Sequence, residues 1–370
     1  MGCNTSTARA TEQSNKLPSC PKPSVVKNTL VEPVSEKTDF ISILFDQFDK
    51  FDIKILTLGS GECGKSTIWR QLKLVYGNGF STDEKNAMIS VIKINLIADF
   101  QLLVKTIKSN GGIASYNFSN TFDMILELQL NEDELIPDVA HEMKQLWENV
   151  SAKEIYEESN SIGFGDYTSY FFDKVETIAD PNYTPTDEDL LKSRIRTTGI
   201  SSIQFLINDI KTELFDVGGQ LSERPKWKRC YQNVNFLLFV ISLSDFDQNM
   251  FEDESNSRTK DSLNLFSSIA NSQIFMDTPI FLVMNKVDLF KQKLKNHPEA
   301  FKSAYDFDGE CDNVDVCLEY VKRSYLNMLS NDRTENAFVM PIPTCAMEAE
   351  SIRSLFQQIG KKIIETKGNE

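Results

Sequence analysis

Apolar and polar positions follow two different periods along this chain. Six short apolar or alternating runs, bounded by charged residues, glycine or proline, have the length and composition of β-strands. They lie at residues 53–58, 203–207, 211–215, 235–243, 279–284 and 338–343. The most apolar of them, at 235–243, is far too short to span a bilayer, so we expect it to be a buried strand.

Between the first two strands the period becomes helical. From Ser81 to about Glu188, apolar residues recur at spacings of three and four, most clearly at Met88, Ile92, Leu96, Phe100, Leu103 and Ile107. This stripe predicts a long helix that ends at Gly111-Gly112. Further amphipathic segments are predicted at 121–130, 137–150 and 167–178, a linker at 182–187 and a closing helix at 352–364.

The two periods together predict an α/β fold that carries an inserted all-helical domain. The α/β domain is assigned residues 41–80 and 189–370, and the inserted domain residues 81–188. Residues 1–40 are rich in Ser and Thr and carry four prolines, so we expect a flexible arm there.

The first residues of the chain fit a lipidation signal. Met1-Gly2-Cys3-Asn4-Thr5-Ser6 matches the M-G-x-x-x-[ST] pattern for myristoylation of Gly2, and Cys3 is a candidate for palmitoylation. Two lipid chains give stable membrane binding, whereas one gives only marginal binding. The alternative is an ordinary start followed by a small residue.

Composition narrows the class of protein. The net charge of −15 argues against non-specific binding to nucleic acid, which needs a basic surface. The seven cysteines show no metal-ligand spacing and favour a reduced, cytosolic compartment, and no secretory signal peptide is visible.

The first predicted strand runs into a phosphate-binding loop. The loop fits G-x-x-x-x-G-K-[ST] and lies between a strand and a helix, which is the context this motif requires. Its residues are Gly59, Ser60, Gly61, Glu62, Cys63, Gly64, Lys65, Ser66 and Thr67. Glycines allow consecutive N–H groups to point at phosphate oxygens, Lys65 is expected to neutralise the β- and γ-phosphates, and Ser66 to bind Mg²⁺.

Two later segments supply the remaining groups for phosphoryl transfer. Thr197 is assigned to Mg²⁺ and Arg194 to charge on the transferred phosphoryl; a solvated basic turn is the alternative for this segment. The segment comprises Leu191, Lys192, Ser193, Arg194, Ile195, Arg196 and Thr197. Asp216-Val217-Gly218-Gly219-Gln220 follows a strand: Asp216 is expected to hold Mg²⁺ through water, Gly219 to bond the γ-phosphate, and Gln220 to orient the attacking water.

A third segment indicates which base is bound. Asn285-Lys286-Val287-Asp288 follows a strand, and the Asp288 carboxylate can accept both the ring N–H and the amino group of guanine. Adenine offers neither donor there, so an ATP-using enzyme is disfavoured. Backbone N–H groups at Ala346 are expected near the guanine carbonyl, and Asp166-Tyr167 is predicted as one further contact from the helical domain.

These motifs, in this order and over nearly the whole chain, resemble the α subunits of heterotrimeric G proteins. The resemblance implies a Ras-like P-loop GTPase domain with a helical lid, and signalling that is on with GTP, off with GDP and timed by slow hydrolysis. Arg194 matches the family's catalytic arginine supplied in cis, Thr197 its Mg²⁺ threonine and Gln220 its water-positioning glutamine. Glu62 matches the glutamate that pairs with that arginine.

The resemblance also implies partners and a location. It predicts a βγ dimer, a seven-transmembrane receptor, effectors and GTPase-activating proteins, at the cytoplasmic face of the plasma membrane. The chain departs from the family in its proline-rich N-terminus, in Leu221 and Pro225 of the second switch, in Met347 and in its short polar C-terminus. These departures raise an alternative: a GTP-binding scaffold with lost or altered βγ and receptor coupling.

Overall fold

A computed structural model describes residues 41–42, 52–111, 118–130, 135–159, 163–207, 210–250, 255–336 and 338–367. The lipidation signal at Gly2 and Cys3, the arm at 1–40, Gly112 and the C-terminal residues 368–370 lie outside the described residues. The predictions made for them stay predictions.

A seven-stranded mixed sheet forms the centre of the α/β part. In spatial order the strands run β1-β3-β4-β2-β5-β6-β7. Their bounds are β1 Ile41–Ser42, β2 Ile53–Leu58, β3 Ile200–Ile207, β4 Ile210–Val217, β5 Phe236–Ser242, β6 Ile280–Asn285 and β7 Val339–Pro343. The β1–β3 and β3–β4 pairs are antiparallel and all others are parallel, with Leu56 of β2 between Phe215 and Leu237. All six predicted strands are present, and β5 is buried along its whole length.

Fourteen α-helices are described, and two short 3₁₀ helices at Arg224–Cys230 and Asp245–Asp247. The helices before β3 are α1 Lys65–Tyr76, α2 Thr82–Ser109, α3 Ser119–Glu127, α4 Pro137–Glu148, α5 Val150–Glu158, α6 Thr168–Asp173, α7 Val175–Ala179 and α8 Asp187–Lys192. Those after it are α9 Arg258–Ala270, α10 Val287–Asn296, α11 Pro298–Tyr305, α12 Val314–Leu326, α13 Asn331–Asn336 and α14 Ala349–Lys367.

Helices α2 to α7 enclose a hydrophobic core of their own, separate from the cores on the two faces of the sheet. The predicted stripe on α2 forms its centre, with Phe100 and Leu103 fully buried. By length and composition α2 is the one described helix that could cross a membrane. Here its apolar face is covered by the other helices of the insertion. The α/β fold with an inserted helical domain is confirmed.

Three of the predicted boundaries differ in the structure, and side-chain caps account for two of these differences. The segment at 137–150 continues as two helices, because the Asn149 side chain accepts hydrogen bonds from the N–H groups of Ser151 and Ala152 and so begins α5. The segment at 167–178 is divided at Lys174 into α6 and α7. The linker at 182–187 ends in a capping box at Thr186, which starts the unpredicted helix α8.

Candidate functional site

A cleft of about 630 Å³ lies between the helical insertion and the carboxyl ends of the parallel strands. The loops that follow β2, β4, β6 and β7 all contribute to its wall, as expected for an open α/β sheet. The opposite wall comes from α2 and from the residues around Asp166. The predicted site residues are therefore brought together from distant parts of the chain.

The phosphate loop joins β2 to α1 through two glycines with positive φ. Gly59 has φ 148° and Gly64 has φ 100°. A Cβ atom at Gly64 would lie 2.1 Å from Asn285 Nδ2, so the close approach requires glycine. Lys65 Nζ folds back over the loop and donates to the carbonyl oxygens of Ser60 at 2.6 Å and Gly59 at 3.1 Å. Its ammonium is thereby held at the N-terminal end of α1, where an anion is favoured.

Three oxygen-bearing side chains meet beside this loop. Ser66 Oγ lies 2.5 Å from Thr197 Oγ1 and donates to Asp216 Oδ2 at 2.8 Å. Burial raises the pKa of Asp216, although Lys65 and Arg70 oppose that shift. Asp216 Oδ1 is buried and has no hydrogen-bond partner among the described residues. Hydroxyl and carboxylate oxygens with a free buried acceptor are the donor set that Mg²⁺ takes, so these residues fit the ion.

Arg194 is held at the edge of the cleft by an ion pair with Glu62, as the resemblance implied. The second carboxylate oxygen of Glu62 lies 2.9 Å from Arg258 Nη2. Burial raises the pKa of Glu62, but Arg258 and Arg194 outweigh it, so the pKa lies below its ordinary value. Glu62 is therefore ionised when it pairs with Arg194.

Gly219 and Gln220 close the phosphate end of the cleft. A Cβ atom at Gly219 would lie 2.2 Å from Lys65 Nζ and 2.4 Å from the carbonyl oxygen of Ser60, which leaves no room for a side chain. The side-chain oxygen of Gln220 is buried and has no hydrogen-bond partner among the described residues. Such an oxygen can accept a hydrogen bond from a water molecule that enters with the substrate.

The far end of the cleft is built around Asn285. Its Nδ2 donates to the carbonyl oxygen of Cys63 and its Oδ1 accepts from the N–H of Ala346, both at 2.9 Å. This one carboxamide ties the phosphate loop to the loop after β7. Asp288 lines the same end of the cleft with its carboxylate exposed.

The helical insertion meets the sheet side through a buried charge pair. Asp166 Oδ2 lies 2.6 Å from Lys286 Nζ, and Lys286 also reaches Asp245 Oδ1 at 3.3 Å. Tyr167 lines the cleft next to this pair. The predicted contact at Asp166-Tyr167 is thus a bridge between the two walls.

Most of the predicted residues line the cleft, including all those at 191–197. The predicted residues that do not line it are Gly59, Ser60, Cys63, Asp216, Val217, Gly218 and Val287. Asp216 reaches the site through its hydrogen bond from Ser66. The two valine side chains pack against the core on the sheet, and the carbonyl oxygen of Gly218 accepts a hydrogen bond from Trp227 Nε1 at 2.7 Å. Val217 and Val287 alternate with cleft residues because neighbouring side chains of a strand or helix point to different sides.

Several residues of the site carry no signal in the sequence. They are Arg70, Asn95, Asp99, Asp245 and Arg258. Each belongs to a common residue type on a helix or loop without a motif, and each acts through a partner far away in the chain. No local pattern could have singled them out.

Comparison with known proteins gives one consistent result. The family described as "G-protein alpha subunit" matches residues 35–364. The chain is 35% identical over 320 residues to "G-protein complex alpha subunit gpaA" of Aspergillus fumigatus, covering 85% of this chain and 88% of that relative. It is 34% identical over 320 residues to "Guanine nucleotide-binding protein alpha-1 subunit" of Neurospora crassa, with the same coverage of each chain.

Proposed function

Because this chain belongs to the G-protein α-subunit family, and is thus a GTP-binding signal transducer and a GTPase, we propose that its cleft holds GTP with Mg²⁺ and that Arg194 and Gln220 carry out hydrolysis. One observation carries this assignment. Ser66 Oγ lies within 2.8 Å of both Thr197 Oγ1 and Asp216 Oδ2 beside the phosphate loop, and Arg194 and Gln220 line the same cleft.

Each group of residues in the cleft has a separate role in GTP binding or hydrolysis. Lys65 and the N-terminus of α1 bind the phosphates, and Ser66, Thr197 and Asp216 would hold the ion, the last through water. Bound Mg²⁺ supplies positive charge that offsets the charge of the β- and γ-phosphates. Arg194, kept in place by Glu62, presents its guanidinium to the charge that develops on the transferred phosphoryl group. The side-chain oxygen of Gln220 accepts a hydrogen bond from the attacking water and so orients that water molecule.

Base selection belongs to the opposite end of the cleft. Asp288 accepts from the ring N–H and the amino group of guanine, and Asn285 fixes the loops on either side of the base. This arrangement supports guanine over adenine, because adenine offers the Asp288 carboxylate neither of these two hydrogen-bond donors.

We test the catalytic assignment with Arg194→Cys and Gln220→Leu. Each protein should bind GTP with near wild-type affinity and hydrolyse it about 100-fold more slowly or worse, since each loses a group that acts mainly in the transition state. Single-turnover hydrolysis of pre-bound GTP measures the rate. Arg353→Cys and Gln358→Leu, on the exposed side of α14, are matched controls. A wild-type rate in either test variant would show that its role is wrongly assigned.

Attachment to the cytoplasmic face of the plasma membrane is the second part of the proposal. The support is the M-G-C start, with lipids on Gly2 and Cys3, and membership of the family. Metabolic labelling with a myristate analogue in the native cell, with Gly2→Ala as the control, measures the first lipid. Soluble wild-type protein without label would contradict the proposal.

Coupling to a βγ dimer, a receptor, effectors and GTPase-activating proteins is the third part, since members of this family interact with such partners. The scaffold alternative is not favoured. Pro225, which departs from the family, lies in the first turn of the 3₁₀ helix Arg224–Cys230, where its missing N–H costs little. Leu221 is 43% exposed and leaves an apolar side chain on the surface of the second switch.

Affinity capture from the native cell tests this coupling directly. The GDP-loaded protein should retain βγ, and loading with a GTP analogue should release it and recruit effectors. Capture without nucleotide-dependent βγ would instead support the scaffold.

A further inference from the structure

The backbone on both sides of Arg194 is held by hydrogen bonds from two different parts of the molecule. The carbonyl oxygen of Ser193, which precedes Arg194, accepts from Arg70 Nη1 at 3.1 Å. The carbonyl oxygen of Arg194 itself accepts from Asn95 Nδ2 at 2.6 Å. Arg70 lies on α1, directly behind the phosphate loop, whereas Asn95 lies on α2 of the helical insertion.

Arg70 is a buried cation beside the C-terminal end of α8. Its side chain is 7% exposed, and Nη1 also donates to the carbonyl oxygen of Leu190 and lies 3.5 Å from that of Leu191. These carbonyls belong to the last turn of α8, whose end leads directly to Arg194. A cation at the C-terminus of a helix satisfies its last carbonyls and its dipole. Burial lowers the pKa of Arg70 to about 10, so the guanidinium stays charged at neutral pH.

We propose that Arg70 and Asn95 are positioning residues for GTP hydrolysis, which fix the backbone of Arg194 from either side so that its guanidinium meets the transferred phosphoryl group. Glu62 restrains the side chain of Arg194, but a side chain with several rotatable bonds is placed only as well as its backbone. The two backbone contacts come from α1 and α2. Arg194 is therefore held correctly only when the helical insertion is correctly positioned relative to the phosphate loop. This inference rests on the catalytic role proposed for Arg194.

The test variants are Arg70→Met, which keeps the length and apolar stem of the side chain, and Asn95→Ala. Misplacement of a catalytic group by about 1 Å can reduce a rate by about 100-fold, so we expect single-turnover hydrolysis to fall about 10- to 100-fold in Arg70→Met. Asn95→Ala removes one hydrogen bond, and a decrease of about 3- to 10-fold is expected. Arg70→Lys retains the charge but not the forked geometry, and should recover part of the rate.

Two residues far from the cleft provide matched controls. Arg333 is fully buried and donates to the carbonyl oxygens of Phe275, Met276 and Thr278. Asn271 Nδ2 donates to the carbonyl oxygen of Met328 at 2.8 Å. Arg333→Met and Asn271→Ala remove the same kinds of bond, so they should lower the thermal unfolding midpoint without changing the hydrolysis rate of the folded, GTP-loaded protein.

A double-mutant cycle with Arg194→Cys separates positioning from any other role. If Arg70 and Asn95 act through Arg194, their variants should change the rate by less than about twofold when Arg194 is already absent. Full multiplicative losses in that background, or a wild-type rate in both single variants, would overturn the inference. If Arg194→Cys alone hydrolyses GTP normally, the proposed function is wrong at that residue.

Arg70 also lies near Asp216, so its loss could act on Mg²⁺ binding, and that effect can be distinguished from positioning of Arg194. A variant that acted by weakening Mg²⁺ binding would recover its rate when the Mg²⁺ concentration is raised. The positioning role predicts that Arg70→Met stays slow at saturating Mg²⁺, and recovery to the wild-type rate there would overturn it. Should Arg70→Met fail to fold, Asn95→Ala and Arg70→Lys carry the same cycle.

Discussion

The two walls of the cleft are built in different ways. On the sheet side, the contacts come from loops at the ends of parallel strands, and close backbone approaches at Gly64 and Gly219 fix their shape. On the helical side, the contacts are single polar side chains, Asn95 and Asp166, that project from a helix and a loop. The close approaches on the sheet side leave no room for added atoms, whereas the helical side is attached by individual hydrogen bonds and charge pairs.

This difference separates the groups that recognise the nucleotide from the groups that hold the cleft closed. Groups that identify phosphate, metal and base are all on the rigid wall, where a shift of one atom produces a collision. Groups on the helical wall hold that wall in place and align Arg194. We therefore expect substitutions of the sheet-side groups that contact the base and the phosphates to change which nucleotide binds. Substitutions on the helical side should change how long the nucleotide stays bound and how fast it is cleaved.

The largest effect on binding is expected from Asp288→Asn. The carboxamide oxygen could still accept the ring N–H of guanine, but its NH₂ group would face the amino group of guanine. Loss of the charge and of one hydrogen bond, with two donors facing each other, reduces affinity by about 100-fold. Xanthine carries a carbonyl in place of the amino group, so xanthosine nucleotides should gain affinity. Competition against a fluorescent guanine nucleotide measures both, with Glu299→Gln in the first turn of α11 as the control. Unchanged preference would place base selection elsewhere.

Gly219→Ala should discriminate between GTP and GDP. The new methyl group would meet Lys65 Nζ and the carbonyl oxygen of Ser60, both well inside van der Waals distance. We expect the affinity for GTP to fall by about 30-fold, or about 2 kcal/mol. The change for GDP should be smaller, because GDP lacks the γ-phosphate that Lys65 and Gly219 contact. Calorimetric titration with GDP and with a GTP analogue compares the two, and equal losses would show that the glycine serves only the fold of the loop.

On the helical wall, Asp166→Asn should accelerate release of GDP by about five- to tenfold, or about 1 kcal/mol. The pair with Lys286 is buried, with side-chain exposures of 14% and 9%. The loss stays moderate because Lys286 keeps Asp245 as a partner. Dissociation of a fluorescent GDP analogue gives the rate.

An exposed pair that also joins distant helices provides the comparison. Lys85 and Asp187 are 2.7 Å apart with exposures of 25% and 51%, and exposed pairs contribute about 0–1 kcal/mol. Asp187→Asn should therefore change the release rate by less than about twofold. An equal acceleration in both variants would mean that burial of the Asp166 pair has no bearing on closure.

The same contrast explains how far the sequence predicts this site. Lys65, Asp216 and Asp288 were predictable because each lies in a short motif at or just beyond the carboxyl end of a strand, so sequence neighbours are also neighbours in space. Arg70, Asn95 and Arg258 act on partners at least 99 residues away along the chain. Pairing across such separations depends on how helices pack, and no periodicity in one segment contains that information.

Secondary structure shows the same limit on a smaller scale. The stripe on α2 is long enough to determine a helix and its buried face. The boundary between α4 and α5 depends instead on one carboxamide, since Asn149 caps a new helix where the apolar pattern simply continues. The break at Lys174 likewise has no counterpart in the apolar pattern at 167–178.

A moderate effect on stability is expected from Asp99→Asn, which tests whether burial of this carboxyl destabilises the helical insertion. Burial raises the pKa of Asp99 to about 6, although Thr168 donates a hydrogen bond to it at 2.7 Å. A carboxyl with a raised pKa favours the folded state below its unfolded pKa near 4, and that advantage is lost as the pH rises through about 6. The asparagine carbonyl can accept the same hydrogen bond without the charge.

Asp99→Asn should therefore stabilise the GDP-bound protein by about 1 kcal/mol at pH 7.5, a factor of about five in the unfolding equilibrium, and by less at pH 5. Thermal unfolding at the two pH values measures the difference. A pH-independent gain would assign the effect to packing, and a loss at pH 7.5 would mean that ionised Asp99 is satisfied by Arg194, whose charge opposes the pKa shift. In that case the helical wall would be bound to the catalytic arginine by charge as well as through Asn95.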